Sequence, residues 1–410
     1  MTEDGQDAQD EGRPRHPLTG RAESTIQARL LTRLRDDGPL SRTQLADCLE
    51  VSRTTIAVEV GRLGELGLVH EVGPAASRGG RRSTIVDLHP DLVFVGISIG
   101  ATGMTVGLTD GRLAVRAQRS CASDVREGPE GVLECAVALA RELLAEIGVE
   151  RPVGAGIGVP GPVDFDRGIS VSPPIMPGWD GYPVRDVVSR ALGCPALLDN
   201  DVNVLAAGEL HAGVARSSRD FLFVKIGTGI GCGLVVDGRV YRGVDGCAGD
   251  IGHIRVEETG PTCACGNAGC LEAFAGGAAV ARDATTAARS GRSPGLATLL
   301  AERGVLTAAD VGQAATHGDA VALELVRESG RRVGQVLASL VSFVNPGLIV
   351  IGGGLTGVGH SLLAEIRSVT YRRSLPLATG NLPIVLGELG AEGGVVGAAR
   401  LISSSVYATG

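Results

Sequence analysis

A histidine and three cysteines lie close together in the segment GHIRVEETGPTCACGNAGCLE, residues 252–272. His253 precedes Cys263 by ten positions, and Cys263, Cys265 and Cys270 fall within eight residues. One imidazole and three thiolates at such short spacing form a donor set that suits tetrahedral zinc. No catalytic glutamate beside an open coordination position is evident, so the segment predicts a closed, structural Zn²⁺ site. The alternative is a set of free or disulfide-bonded cysteines.

The composition describes a globular protein of two or three domains. The chain has 410 residues, of which 44% are hydrophobic and 20% charged. It contains no run of about 18 apolar residues, so no membrane span is expected. The polar, acidic N-terminus lacks the apolar centre of a signal peptide, and nine cysteines form no regular framework outside residues 252–272. The sequence therefore predicts a cytoplasmic protein.

The net charge of −8 conceals a different local balance near the N-terminus. An acidic leader inflates the negative total, whereas the segment from Arg21 to Ile85 carries ten arginines against eight acids. Binding of nucleic acid by this segment is therefore compatible with the charge. Lysine occurs only once, at Lys225. We interpret this as a reflection of codon usage.

Residues 24–65 carry three short helical patterns, each preceded by a serine. Ser24, Ser41 and Ser52 stand at N-cap positions, and Gln44 completes a capping box with Ser41. Two short strands around a basic, glycine-rich turn follow. Apolar residues recur at helical spacing at Ile26, Leu30, Leu31 and Leu34, at Leu45, Ala46 and Leu49, and at Ile56, Val60 and Leu63.

Three short helices followed by a hairpin predict a winged helix-turn-helix. In that motif the third helix enters the major groove of DNA with its N-terminal residues at the base edges. The alternative is an ordinary helical subdomain with a solvated arginine turn. The predicted DNA contacts are Arg42, Ser52, Arg53, Thr54 and Thr55 in the helical part and Arg78, Arg81 and Arg82 in the turn.

Beyond residue 90, strands and helices alternate, with glycine-rich turns at the strand ends. This pattern is typical of an α/β protein with a cleft. The clearest segments are FVGISIGATGMTVGLTD, VGAGIGVPGPVD, ALLDNDVNVLAAGE, FLFVKIGTGIGCGLVVDGRVYRG and VNPGLIVIGGGL.

Five motifs in this part of the chain resemble, in order, those of the ROK family (repressors, open reading frames, kinases), a branch of the sugar-kinase/actin-like ATPases. They read GIGVPGPVD, DNDVN, GTGIGCG, AGDIGH and CACGNAGCLE. The segment before them resembles the DNA-binding half of xylose- and N-acetylglucosamine-type repressors of that family. The resemblance implies a winged helix-turn-helix followed by a two-lobed α/β sugar-kinase fold. The implied domains are a disordered leader (1–22), a DNA-binding domain (23–90), a first lobe (91–205 with 392–410) and a second lobe with the zinc site (206–391).

The same resemblance implies a sugar site. Asp201 occupies the place of the kinases' general base, and Asn200 the place of a residue that hydrogen-bonds the sugar. His253 resembles a residue that both ligates zinc and orients sugar binding, and Glu272 matches a further sugar-contacting glutamate. Asp250 stands where a glutamate is usual. For Asp250 and Glu272 the alternative is a solvated or helix-capping acid.

The chain departs from the kinase pattern at two positions, of which the first argues against phosphoryl transfer and the second removes a polar anchor of the sugar and points to a different or substituted ligand. The first phosphate loop of the kinases begins with an aspartate that helps to hold the metal and phosphate, and this chain has Ser98 there. A sugar-binding asparagine is replaced by Ile175. ATP and Mg²⁺ are therefore not expected as cofactors. The residues of the nucleotide loops are either vestiges of nucleotide binding or turns kept for packing: Gly100, Thr102, Gly227, Thr228, Gly229, Gly353 and Gly354.

Together these features predict a sugar-responsive transcriptional regulator, and they favour a repressor. A homodimer or homotetramer would bind an inverted-repeat operator, and a sugar or sugar derivative in the cleft would shift it between two states. One alternative is an ATP-dependent sugar kinase with an accessory DNA-binding domain. Another is an activator, or a regulator controlled by a partner protein.

Overall fold

The computed structural model describes residues 22–74, 84–355 and 360–408, which divide into two compact units. The smaller unit comprises the N-terminal part up to Phe94, the turn Asp110–Ala114 and the C-terminal residues from Ser403. The larger unit comprises Val95–Thr109 and Val115–Ile402. The domain boundaries predicted from the sequence stay a prediction. The predicted turn arginines lie outside the described residues: Arg78, Arg81 and Arg82.

Three helices and a three-stranded sheet make up most of the smaller unit. The sheet has the order β1-β3-β2, and both pairings are antiparallel. In chain order the elements are α1 (Thr25–Asp37), β1 (Leu40–Ser41), α2 (Arg42–Leu49), α3 (Arg53–Glu65), β2 (Val69–Pro74) and β3 (Thr84–Leu88).

The three predicted helix starts are confirmed. Ser24, Ser41 and Ser52 are the N-caps of α1, α2 and α3, and each side chain accepts a hydrogen bond from a backbone N–H three residues on. Gln44 closes the predicted capping box at α2. The caps satisfy N–H groups that no helix can satisfy internally, which is why serine defines these boundaries. The apolar stripes meet in a core whose fully buried members include Leu30, Leu31, Leu34, Leu45, Ile56 and Leu63.

Polar contacts inside the smaller unit fix its helices and its C-terminal segment. The side-chain amide of Gln27 donates a 2.7 Å hydrogen bond to the carboxylate of Glu59, and both residues are buried. The buried Arg35 donates to the hydroxyl of Ser403 at 3.3 Å. Tyr407, also buried, donates to the carbonyl of Gly111 at 3.0 Å. Ser403 and Tyr407, near the C-terminus, thus pack within the same unit as the first helix.

The larger unit contains two five-stranded sheets. The first has the order β10-β7-β4-β5-β6, with β10 parallel to β7, and β5 antiparallel to β6. A two-stranded sheet, β8 with β9, accompanies it. The elements of this first part are β4 (Phe94–Ile99), β5 (Gly103–Thr109), β6 (Val115–Ala122), α4 (Pro129–Glu146), β7 (Gly154–Val159), β8 (Val163–Asp164), β9 (Ile169–Ser170), α5 (Val184–Leu192), β10 (Ala196–Asn200) and α6 (Asp201–His211).

The second sheet has the order β13-β12-β11-β14-β15. Strand β11 pairs antiparallel with β12 and parallel with β14, and helices bury one of its faces in a large apolar core. The elements are β11 (Phe221–Ile226), β12 (Ile230–Val236), β13 (Arg239–Tyr241), α7 (Leu271–Ala275), α8 (Gly277–Arg289), α9 (Pro294–Arg303), α10 (Ala308–Thr316), α11 (Ala320–Val344), β14 (Leu348–Gly352), α12 (His360–Arg373), α13 (Pro376–Thr379), β15 (Ile384–Leu386) and α14 (Glu392–Val406).

Helix α14 lies directly on the first sheet because glycines remove the side chains between them. A Cβ atom at Gly156 of β7 would lie 1.7 Å from the carbonyl oxygen of Ala398. A Cβ at Gly96 of β4 would lie 2.3 Å from the carbonyl oxygen of Val395. Neither position can accept any other residue without moving backbone. In the part of the chain that is described, no helix combines the length and apolarity that a membrane crossing requires.

Candidate functional site

A cleft in the larger unit collects the residues that the sequence singled out for sugar binding. The cavity has a volume of about 150 Å³. It is lined by the loop after β7, the junction of β10 and α6, the turn between β11 and β12, residues 246–250, and His253 with Glu272 of α7. Ile175, which stands where the kinases place an asparagine, also lines it. The structure brings all five predicted sugar residues to this one cavity: Asn200, Asp201, Asp250, His253 and Glu272.

The junction of β10 and α6 presents two of these residues. Asn200 is the N-cap of α6, and its side-chain oxygen accepts from the N–H of Val202 at 2.8 Å. Its amide nitrogen donates to the carbonyl of Gly161 at 2.9 Å. Asn200 therefore holds the strand–helix turn and the neighbouring loop in place as well as lining the cavity. Asp201 follows as the first helical residue, and its side chain is 6% exposed.

Lys225 also belongs to this site, although the sequence did not predict it. It lies on β11, and its ammonium forms an ion pair with the carboxylate of Asp201. Its side chain is 23% exposed and lines the same cavity. The single lysine of the chain is thus placed against the residue at the general-base position. The sequence gives one indication of this role, because Lys225 is the only lysine in the chain. Composition alone, however, does not show that a side chain reaches a site.

A second ion pair supports the floor of the junction. The guanidinium of Arg242 donates two hydrogen bonds, of 2.9 and 2.6 Å, to one carboxylate oxygen of Asp199. Asp199 is buried, and it also accepts from the side-chain amide of Asn203 at 2.9 Å. Arg242 stacks over the ring of Phe165 at 4.3 Å. A buried carboxylate is tolerated only where charged or polar groups pair with it. The contacts with Arg242 and Asn203 therefore fix Asp199, the residue next to Asn200.

The geometry of the histidine and cysteine cluster fits zinc. The four candidate ligand atoms of His253, Cys263, Cys265 and Cys270 all lie within 4.8 Å of one another. Zn–S bonds of about 2.3 Å at the tetrahedral angle place two sulfurs about 3.8 Å apart. The Sγ atoms of Cys265 and Cys270 are 3.8 Å apart, and Sγ of Cys263 is 3.4 Å from Nδ1 of His253. The donor set and its spacing therefore match a closed tetrahedral site.

The thiols of the cluster influence one another's ionisation. Burial raises the pKa of Cys263 to about 12, and burial also raises the pKa of Cys270. Burial, the largest single influence on Cys265, acts in the same direction. Hydrogen bonds from the Asn267 backbone and from the other two thiols outweigh it and lower the pKa of Cys265 to about 7. One thiolate is thus readily available, and a cation is needed to ionise the other two.

The cluster is connected to the cleft through Glu272 and His253. Nε2 of His253, the nitrogen that does not face Cys263, is 3.8 Å from a carboxylate oxygen of Asp250. One carboxylate oxygen of Glu272 accepts from the N–H of Ile230 at 2.9 Å. A Cβ atom at Gly229 would lie 2.1 Å from that oxygen, so the carboxylate is seated on the glycine turn between β11 and β12. Glu272 therefore supports this turn in addition to lining the cavity.

The residues of the predicted nucleotide loops are distributed over two cavities. Thr228 and Gly229 line the cleft, and Gly227 belongs to the same turn. Ser98 and Gly100 line a second cavity, of about 300 Å³. The lining residues of these two cavities, within the described chain, do not include Thr102, Gly353 or Gly354.

On the smaller unit, the N-terminus of α3 is presented on the surface. Ser52, Arg53 and Thr54 are exposed, and Thr55 is half-buried. The hydroxyl groups of Ser52 and Thr55 are 2.8 Å apart. Arg42 differs from the other predicted contacts because its guanidinium pairs with Glu71 of β2 at 2.5 Å.

The two five-stranded sheets, the cleft and the glycine turn are those of the sugar-kinase/actin-like class. Residues 94–405 match the model of the ROK family. The chain belongs to this family.

Known relatives include both kinases and regulators. The glucokinase of Halalkalibacterium halodurans is 36% identical over 251 residues, which are 61% of this chain and 76% of the relative. The xylose repressor of Caldicellulosiruptor bescii is 27% identical over 383 residues, which are 92% of this chain and 95% of the relative. A solved ROK family transcriptional regulator, described as a homologue of the E. coli MLC protein, has a TM-score of 0.79 at 26% identity. The match covers 93% of this chain and 96% of the regulator's chain.

Proposed function

We propose that this protein is a sugar-responsive DNA-binding repressor of carbohydrate-metabolism genes and that it has no kinase activity. The observation that carries the proposal is the extent of the matches. The repressor and the solved regulator match more than nine-tenths of this chain, whereas the glucokinase match covers 61% of it. Matches over more than nine-tenths of the chain must extend into its first 94 residues, and a match over 61% need not.

In this proposal the smaller unit is a winged helix-turn-helix. Helix α3 would lie in the major groove, because its N-terminal residues Ser52, Arg53 and Thr54 are exposed. Arg53 can donate two hydrogen bonds to a guanine edge, and the serine and threonine hydroxyls can contact phosphate or bases. Two copies of the unit in a homodimer or homotetramer would bind the two halves of an inverted repeat.

The cleft of the larger unit would bind the sugar. Asp250, Glu272 and Asp201 provide carboxylates that accept hydrogen bonds from sugar hydroxyls, and Ile175 provides an apolar wall. His253, Cys263, Cys265 and Cys270 would hold a structural Zn²⁺ that fixes the segment carrying His253 and Glu272. The sugar would change DNA binding only to the extent that it binds two arrangements of the protein with different affinity.

The test is a fluorescence-anisotropy titration of the full-length protein against duplexes from the region upstream of its own gene. Each titration is repeated at several salt concentrations, because phosphate contacts make the affinity fall with salt. We expect specific binding that one member of a sugar panel weakens. A protein that binds these duplexes no more tightly than random DNA at every salt concentration would refute the proposal.

The alternative of a sugar kinase is supported by Asp201 at the general-base position. A coupled assay of ADP release with the same sugar panel tests it directly. We expect no turnover above the background without protein. Turnover that disappears in Asp201→Ala would establish kinase activity and overturn this part of the proposal.

A further inference from the structure

Two cavities of the larger unit meet at one ion pair. Among the described residues, two line both the cleft and the second cavity, which is lined among others by Ser98, Gly100 and Thr105. These are Asp201 and Lys225, whose side chains are bonded to each other. The ion pair therefore stands as a partition between the space assigned to the sugar and the space beside the first phosphate loop.

The sheet around Lys225 is built to let its side chain reach Asp201. Its partner in register on β12 is Gly231, and its partner on β14 is Gly352. Side chains at paired positions lie on the same face of a sheet, so both neighbours of Lys225 on that face lack a side chain. A Cβ atom at Gly231 would lie 2.8 Å from the side chain of Val202, the residue next to Asp201. Glycine at position 231 thus lets α6 pack close to β12 beside Lys225, whereas glycine at position 352 leaves room for the ring of Phe223.

The charges at the partition do not suit a magnesium–nucleotide complex. Phosphoryl transfer needs a carboxylate to help hold the metal and a second carboxylate to accept the proton of the sugar hydroxyl. The first position holds the neutral Ser98, and at the second the ammonium of Lys225 is bonded to Oδ2, one of the two carboxylate oxygens of Asp201. A proton from the sugar would therefore have to be accepted by a carboxylate that already has a counter-cation. A lysine can bind phosphate as a point charge, but this ammonium is already neutralised by Asp201.

We propose that Lys225 is a built-in counter-cation that excludes magnesium–nucleotide from this site and leaves the cleft to a sugar alone. The proposal rests on the proposed function, because it accounts for the loss of kinase chemistry. It assigns Lys225 as a positioning residue. The lysine acts through Asp201, which it holds as an ion-paired wall of the sugar cleft and withholds from proton transfer.

The experiment measures binding of Mg²⁺·AMPPNP, a nucleotide analogue that is not hydrolysed, by isothermal titration calorimetry on the full-length protein. The variants are Lys225→Thr, Ser98→Asp and the two combined, and Lys225→Arg is the matched control that keeps the cation. We expect no binding to the wild type or to Lys225→Arg. Lys225→Thr gains measurable binding, and the combined variant binds at least about tenfold more tightly than Ser98→Asp alone.

Three results would overturn the proposal: binding of Mg²⁺·AMPPNP to the wild type, weaker binding in Lys225→Thr than in the wild type, or no gain in any variant that lacks the lysine. Circular dichroism and thermal melting of each variant identify a change that merely unfolds the protein, and the arginine control then still reports on the cation. DNA binding of the wild type is a separate measurement. Its absence would refute the proposed function and would leave the nucleotide result standing.

Discussion

Replacement of Cys265 by serine tests whether the four-residue cluster is a zinc site. The change removes one thiolate and leaves three ligands. Removing a group that only orients a metal ligand weakens metal binding about 10–100-fold. Removing a ligand itself should therefore weaken zinc binding at least about 100-fold. That corresponds to about 2.7 kcal/mol of binding free energy, which is lost from folding wherever metal binding and folding are coupled.

The apolar packing of the segment around the cluster is small. Its own small core consists of Cys263, Cys270 and Ala273, with Cys265 packed against them. Most of this core is thus made of proposed metal ligands. At about 2–4 °C per kcal/mol for a unit of this size, the midpoint of thermal unfolding should fall by about 5–10 °C.

The measurement combines metal analysis with thermal melting of freshly purified protein. The wild type should contain about one zinc per chain, and Cys265→Ser should contain almost none. Cys135→Ser is the matched control, because Cys135 is an exposed cysteine of α4 outside the cluster. Wild-type protein without zinc, or equal metal content and equal melting in both variants, would refute the assignment. If the metal is lost but the sugar response of DNA binding is unchanged, zinc does not support the cleft.

Three further predictions address other parts of the molecule. Arg53→Ala should weaken specific DNA binding by about 1–3 kcal/mol in the anisotropy assay. The control is Arg33→Ala on α1, where Arg33 pairs with Asp37, and it should change the affinity little. Equal losses of affinity in the two variants would show that α3 does not contact the bases. Glu59→Ala leaves the buried amide of Gln27 without its carboxylate partner and should lower the free energy of unfolding by about 1–3 kcal/mol in a urea titration. Zinc uptake by the metal-free protein at pH 7 should release between about two and three protons, since two thiols have a raised pKa and one has a pKa of about 7. Calorimetry in buffers of different ionisation enthalpy counts them, and zinc affinity that does not rise with pH would contradict this reasoning.

The local features of the fold could be read from the sequence because they depend on near neighbours. Ser41 and Gln44 are three residues apart, and their reciprocal hydrogen bonds require only the helix that they begin. The three cysteines of the cluster are separated by a few residues with glycines between them. The strands Phe94–Ile99 and Leu348–Gly352 lie in segments that the sequence already marked as strands, and they are almost entirely apolar, as a buried strand requires.

The contacts that the sequence did not predict join residues far apart in the chain. Lys225 and Asp201 are 24 positions apart, and Arg242 and Asp199 are 43 apart. Arg35 reaches Ser403 across 368 positions. Each pair depends on how elements far apart in the chain pack together, and neither charge nor spacing along the chain specifies that packing. Asn200 shows a related limit, since the same side chain that a motif assigns to a ligand also caps a helix.

The presence of one lysine in the whole chain gives the cleft a chemical handle. Reductive methylation with isotope-labelled formaldehyde modifies amines, and Lys225 is the only side-chain amine that the protein contains. A single side-chain methyl resonance would therefore come from the ion pair with Asp201. Its chemical shift would follow the occupancy of the cleft directly, without a reporter residue having to be introduced.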